Sequence, residues 1–192
     1  MRKLSIVIAL TAFITTVHAQ KWYQFGFRVS TQFALNRDYT PDDHLTSTRT
    51  VHFGGYFRAG QYVYGEIGLG YQYFKNHFTY TLPTGETMDD MVENRYLVIP
   101  IRAVGDVKIT KKIAFQPYLG VAYQPLLKVT DNTLGYSKAT FEPHWTLLTT
   151  GFDFRFGFIT VGVDYRYSFH YFFRNQDGQK PQYVGISAGV IF

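Results

Sequence analysis

Tyr183-Val184-Gly185-Ile186-Ser187-Ala188-Gly189-Val190-Ile191-Phe192 closes the sequence on one alternating run. Side chains of a strand point to opposite faces with a period of two. Val184, Ile186, Ala188, Val190 and Phe192 therefore share an apolar face, and Gly185, Ser187 and Gly189 share a face of small residues. The first face calls for an apolar surrounding. The second suits a crowded interior.

The same alternation recurs upstream and predicts eight strands, near 22–34, 49–59, 62–75, 94–106, 113–125, 143–157, 159–172 and 182–192. In the first, Tyr23, Phe25, Phe27, Val29, Thr31 and Phe33 oppose Gln24, Gly26, Arg28, Ser30 and Gln32. In the seventh, Val161, Val163, Tyr165, Tyr167 and Phe169 oppose Gly162, Asp164, Arg166, Ser168 and His170. Short links at 60–61, 107–112 and 157–158 alternate with long ones at 35–48, 76–93, 126–142 and 173–181. Short periplasmic turns and long extracellular loops are the asymmetry of a bacterial barrel. No helix-period segment competes, and no window after residue 19 offers the 18 consecutive apolar residues of a helical span. The fold class read from this pattern is all-β: an eight-stranded antiparallel up-and-down transmembrane β-barrel.

A soluble eight-stranded barrel would carry its apolar face inside and a charged face outside. Here the polar phase is largely small, with Gly26, Gly54, Gly68, Gly70, Gly120, Gly151 and Gly162. Lys21, Lys75, Lys108, Lys111, Lys112, Lys128, Lys138 and Lys180 fall at strand ends, turns or loops. Mid-strand charge comes from Arg28, Arg58, Glu66, Arg102, Asp153, Arg155, Asp164 and Arg166, all in the polar phase. Guanidinium and carboxylate groups can pair bidentately inside a narrow lumen, which offsets their desolvation. The outward phase is aliphatic in the middle (Ile67, Leu69, Ile99, Val161, Val163) and aromatic toward the ends (Tyr23, Phe33, Tyr73, Phe156, Phe169), as a barrel in a bilayer requires.

The amino terminus points to export. Met1-Arg2-Lys3 is basic, Leu4 to Val17 is apolar, and Val17-His18-Ala19 has the form of a cleavage site. Residues 1–19 are expected to be a cleaved signal peptide and 20–192 the barrel domain. With no cysteine, disulfides and thiol chemistry are excluded. Losing Arg2 and Lys3 lowers the formal charge from +5 to +3, too mild a balance for a nucleic-acid partner.

A closing strand with a terminal aromatic resembles the assembly signal of bacterial outer-membrane barrels. Phe192 would then be read by the barrel-assembly machinery, with outer-membrane lipid as the surrounding partner. Tyr96-Leu97-Val98-Ile99-Pro100-Ile101 and Gln116-Pro117-Tyr118-Leu119-Gly120 are similar to segments of the small outer-membrane barrels widespread in Bacteroidetes, often labelled PorT-like. That family often has an acidic residue where this chain has Val98. The likeness covers the whole mature chain and implies an outer-membrane location. Pro100 cannot donate to a ladder, so a bulge or kink is expected near it; Pro117, early in its strand, is easier to accommodate.

Catalytic candidates are few. Ser168 and His170 share the lumen phase, roughly 6–7 Å apart along a strand, on the wrong side for a lipid ester, and nothing marks an oxyanion site. His144 lies in an outward phase near the extracellular rim without a serine partner. Asp38, Asp42, Asp43 and His44 cluster in the first long loop, and Glu86, Asp89, Asp90 and Glu93 in the second, but neither has EF-hand spacing. Phe78, Tyr80 and Leu82 alternate ahead of Pro83-Thr84-Gly85, so the third and fourth strands are expected to protrude as a hairpin able to pair with a partner strand. The reading is a monomeric barrel with a packed polar lumen, no catalytic residue, cofactor or metal, and a structural or surface-interaction role, with extracellular or envelope partners met through its loops. The alternatives are a secretion-associated barrel, a narrow channel and a lipid-modifying enzyme.

Overall fold

The computed structural model describes residues 22–36, 44–81, 84–174 and 179–192, with backbone alone at 44–47, 80–81 and 88–89. The proposed signal peptide, Lys21, Asp38, Asp42, Asp43 and the His44 and Asp89 side chains lie outside that description.

Among the described residues, nine strands form one sheet: β1 (Tyr23–Ala34), β2 (His44–Gly60), β3 (Val63–Thr81), β4 (Thr87–Gly105), β5 (Val107–Lys108), β6 (Ile113–Val129), β7 (His144–Phe156), β8 (Ile159–Ser168) and β9 (Gln182–Ile191). The order is β4-β3-β2-β1-β9-β8-β7-β6-β5, and pairing of β4 with β6 closes the ring. β5 is a two-residue stub on the start of β6, so the wall has eight staves. Every ladder is antiparallel. A closed ring leaves no lipid-facing edge of unpaired backbone, which a bilayer does not tolerate. The seam pairs Gly26 with Ile191 through Ala34 with Tyr183. One rung further down, Phe25 and Phe192 exchange both backbone bonds, at 3.1 and 2.8 Å.

The phases fall as the alternation predicts. Phe27, Val29, Phe53, Ile67, Leu69, Ile101, Val121, Val161, Val163, Ile186 and Phe192 are exposed, while Arg28, Arg58, Glu66, Asp153, Asp164 and Arg166 are buried. Several strands are longer than predicted. β2 begins at His44, β3 reaches Thr81, β4 starts at Thr87 and β6 continues to Val129. β3 and β4 thus form the protruding hairpin expected from the sequence, and β2 joins it to make a three-stranded blade, paired through His44 with Thr79 and Thr81 with Thr87. β8 stops at Ser168, short of the predicted 172.

Of the bulge or kink expected near Pro100, the register shows no bulge. The β3–β4 register is the same at Ile67 with Ile101 and at Gly70 with Val98, and only the rungs between them are missing from the ladder. Gly68 makes this possible, because a Cβ there would lie 2.9 Å from Pro100 Cγ. The proline ring fills the space beside a glycine and the register survives. The register shift occurs between Arg95 and Tyr96, opposite Leu126 to Lys128 and just past Pro125; there the Leu126 amide donates instead to Pro143 O at 2.9 Å.

Candidate functional site: a lumen in three layers

Arg58, Glu66 and Arg102 occupy one rung, since Arg58 pairs with Glu66 across β2–β3 and Glu66 with Arg102 across β3–β4. The carboxylate accepts from Arg58 Nε at 2.7 Å and from Arg28 Nη1 at 3.4 Å, and lies 3.5 Å from Arg102 Nη1. Asp153 reaches across from β7, accepting from Arg28 Nη2 at 2.6 Å and sitting 3.5 Å from Arg58 Nη2. Three guanidinium groups thus share two carboxylates, all buried. The Tyr56 ring lies between Arg28 and Arg58, 4.9 Å from each, and Tyr118 lies 4.7 Å from Arg102. These faces add cation–π attraction where water is excluded. A Cβ on Gly26 would collide with the Tyr56 ring, so the absence of a side chain there admits the ring.

From this layer a hydrogen-bonded line descends to the periplasmic mouth. Arg58 Nη1 donates to Gln116 Oε1 at 3.0 Å, and Gln116 Nε2 donates to Asp106 Oδ1 at 2.7 Å. Asp106 also accepts from Arg155 Nη2 at 3.4 Å. Arg155 is therefore apart from the central cluster. It lines a mouth cavity of about 320 Å³ with Gln24, Gly157, Phe158, Ile191 and Phe192.

Above the charged layer lies an amide layer. Gln124 Nε2 donates to Gln72 Oε1 at 3.0 Å. With its oxygen toward Arg166, the Gln32 amide accepts from Arg166 Nε at 2.8 Å. Asp164 pairs with Arg166 on the same strand at 2.5 Å, so these two form a separate pair from the Glu66–Asp153 group.

The upper third of the lumen is dominated by aromatic side chains, with Asn76, Asn94 and Thr48 buried among them, which corrects the expectation of a polar interior throughout. Phe74, Tyr96, Trp145 and Tyr183 point inward from the wall, and Phe78, Val92, Phe141, Phe172 and Phe173 complete a buried cluster. Tyr96 stacks on Trp145 at 5.1 Å, and Phe172 meets Phe173 edge-on at 4.9 Å. Phe141 and Phe173 belong to the two long loops that cross the mouth, and they form a β-bridge there. Arg174 N donates to Thr140 O at 2.9 Å beside it. The loops are joined over the lumen by their own backbone.

The catalytic candidates separate. Ser168 Oγ donates to the backbone oxygen of its neighbour His170 at 2.8 Å and accepts from the His170 amide at 3.1 Å. The His170 ring leaves the lumen phase and lies 3.9 Å from Glu142, because β8 has ended and the chain turns. His144 Nδ1 lies 3.0 Å from Tyr123 OH, and the rings stack. Among the described residues, neither of these two imidazole rings meets a serine hydroxyl. The second acidic cluster also spreads: Glu86 is exposed, Asp90 accepts from Thr133, and Glu93 accepts from Tyr73 OH at 2.8 Å. Among the described residues, no three His, Asp or Glu side chains come together as metal ligands. Asp106 and Tyr56 were not singled out by sequence reasoning, and Gln116 and Tyr118 only as members of the 116–120 segment, although the lumen phase marks all four.

No curated protein matches the chain. Among solved structures, the chain is similar to the translocator domain of the autotransporter NalP from Neisseria meningitidis, at 8% identity and TM-score 0.46 over 99% of this chain and 95% of that one. The N-terminal β-barrel domain of Pseudomonas aeruginosa OprF matches at 9% identity and TM-score 0.43 over 88% and 97%. Ail of Yersinia pestis, solved with the heparin analogue sucrose octasulfate, matches at 13% identity and TM-score 0.41 over 88% and 97%. The model of the outer membrane protein beta-barrel domain family matches residues 5–192. A closed antiparallel ring, apolar outside and densely filled within, is the form that such a match leads one to expect, and the chain belongs to this family of outer-membrane β-barrels.

Proposed function

We propose that the protein is a non-catalytic barrel with a closed lumen, whose role is structural and whose contact with partners is made by the extracellular blade of β2, β3 and β4. The observation that carries this reading is the filling of the lumen. The void among Arg28, His52, Tyr56, Glu66 and Arg102 is about 10 Å³, room for one water. Above it, the aromatic cluster is crossed by two bridged loops. An ion would have to displace both a paired charge layer and a packed aromatic layer. The blade, by contrast, projects β-structure beyond the barrel, where strand addition and surface contacts are available. Photo-crosslinkers at Thr84 and Glu86, with a lipid-facing control at Ile67, test it in cells. Protein adducts confined to the two tip positions are the expected result, and adducts to lipid alone at all three would overturn it.

The second reading is a secretion-associated barrel of the PorT-like kind, supported by the resemblance at 96–101 and 116–120. It predicts co-purification with periplasmic or inner-membrane proteins. Isolation as a lone heat-modifiable barrel would count against it.

A further inference from the structure

Two like-charge pairs face outward at the upper edge of the wall. Arg49 on β2 stands directly opposite Lys75 on β3, and Arg95 on β4 directly opposite Lys128 on β6. Directly opposed like charges on one face destabilise a sheet. Glu93, opposite Lys75, is the single carboxylate in this group; it lies 3.8 Å from Lys75 Nζ and 3.7 Å from Arg95 Nη2. It relieves one member of each pair. Among the described residues, Arg49 and Lys128 have no carboxylate within ion-pair distance and are exposed. Four cations on four consecutive staves therefore surround one anion.

The patch lies where a lipid headgroup would be. All four side chains lie in the lipid-facing phase, roughly 25–40 Å above the periplasmic turns, whereas the apolar band of such a barrel is about 25 Å tall. Val51, Tyr73, Leu97 and Tyr123 occupy the lipid-facing positions just below. The patch stops at these staves: beside Arg49 on β1 the outward positions are Phe33 and Leu35, and after β8 they are Phe169 and Tyr171, with Lys180 placed over the Tyr171 ring. Headgroup level, outward phase and unneutralised opposed cations together call for an anion that arrives from the membrane.

We infer that Arg49, Lys75, Arg95 and Lys128 form a binding site for the phosphate groups of outer-leaflet glycolipid, the lipid A moiety of lipopolysaccharide. A phosphate between Arg49 and Lys75 turns their repulsion into two charge-assisted contacts, and a second phosphate does the same for Arg95 and Lys128. Glu93 keeps the two pairs apart and holds the Lys75 and Arg95 heads at the rim.

Native mass spectrometry of the purified barrel, loaded with bisphosphorylated lipid A, dephosphorylated lipid A or phosphatidylglycerol, tests the site. The expected result is preferential retention of the bisphosphorylated form. The double variant Arg49→Gln/Lys128→Gln is expected to lower that retention about tenfold, the equivalent of one or two phosphate contacts. In lipid-free detergent the same variant should unfold at a higher temperature than the parent, because the opposed charges are gone. Equal retention of the dephosphorylated form, or retention unchanged in the variant, would overturn the site. Equal retention of phosphatidylglycerol would overturn its assignment to the glycolipid.

Discussion

Glu66 faces three guanidinium groups, and its neutralisation is the most damaging single change the lumen offers. Glu66→Gln leaves Arg58 and Arg102 buried without their shared anion, a loss expected to cost about 3–5 kcal/mol, measured as the urea midpoint of the refolded barrel in micelles. Two glycines supply a contrast. A Cβ at Gly120 would fall 2.2 Å from Ile101 O and 2.7 Å from Arg102 Cα, both backbone atoms that cannot move aside singly. Gly120→Ala is therefore expected to cost about 1–3 kcal/mol, whereas Gly65→Ala, whose Cβ meets only Ala59 O at 3.9 Å, should leave the midpoint unchanged. The inward phase of Arg28, Arg58, Glu66, Arg102, Asp153, Asp164 and Arg166 was legible from alternation. Their partners were not, because Asp153 reaches Arg28 only when ring closure sets β7 across from β1, and Asp106 meets Gln116 and Arg155 only once β6 and β7 stand beside β4.

The blade and the loops around it are held by side chains at the strand ends. Asp90 accepts from Thr133 N at 2.5 Å and from Thr133 Oγ1 at 2.7 Å, which ties the loop after β6 to the outer part of β4. The Thr133 hydroxyl and amide hold the Asp90 carboxyl below its ordinary value of 3.8. A depressed carboxyl contributes while ionised, so the tie is present at neutral pH and is lost as the pH falls below that value. Amide exchange at Thr133, corrected for its intrinsic pH dependence, should accelerate at pH 3 relative to pH 7, and Asp90→Asn should show the faster rate at both. The outward reach of β3 and β4 was legible from the alternation of Phe78, Tyr80 and Leu82, while the early start of β2 was not, because Thr46-Ser47-Thr48 is polar on both faces and shows no period-two contrast. Pro100 misled for a related reason: its tolerance depends on Gly68 in the neighbouring strand, and one strand's own sequence does not record its neighbour.

At the scale of the molecule, the layered lumen predicts a protein that does not conduct. Planar-bilayer recordings of the purified barrel should show no stable, ion-dependent steps, and steps of that kind would overturn the closed-lumen reading. The closed barrel itself was legible in the alternation, the loop rhythm and the placement of lysines. Alternation placed Tyr73 outward and so Phe74 inward, but the aromatic layer was only partly legible, because Phe141 and Phe173 lie beyond the predicted strands, where alternation assigns no face. That layering also divides the interior between compartments. The polar line from Glu66 through Gln116 and Asp106 ends at the periplasmic cavity beside Arg155, while nine apolar side chains stand between it and the medium. The layering therefore predicts that protons and deuterons reach the charged layer more readily from the mouth beside Arg155 than through the aromatic layer.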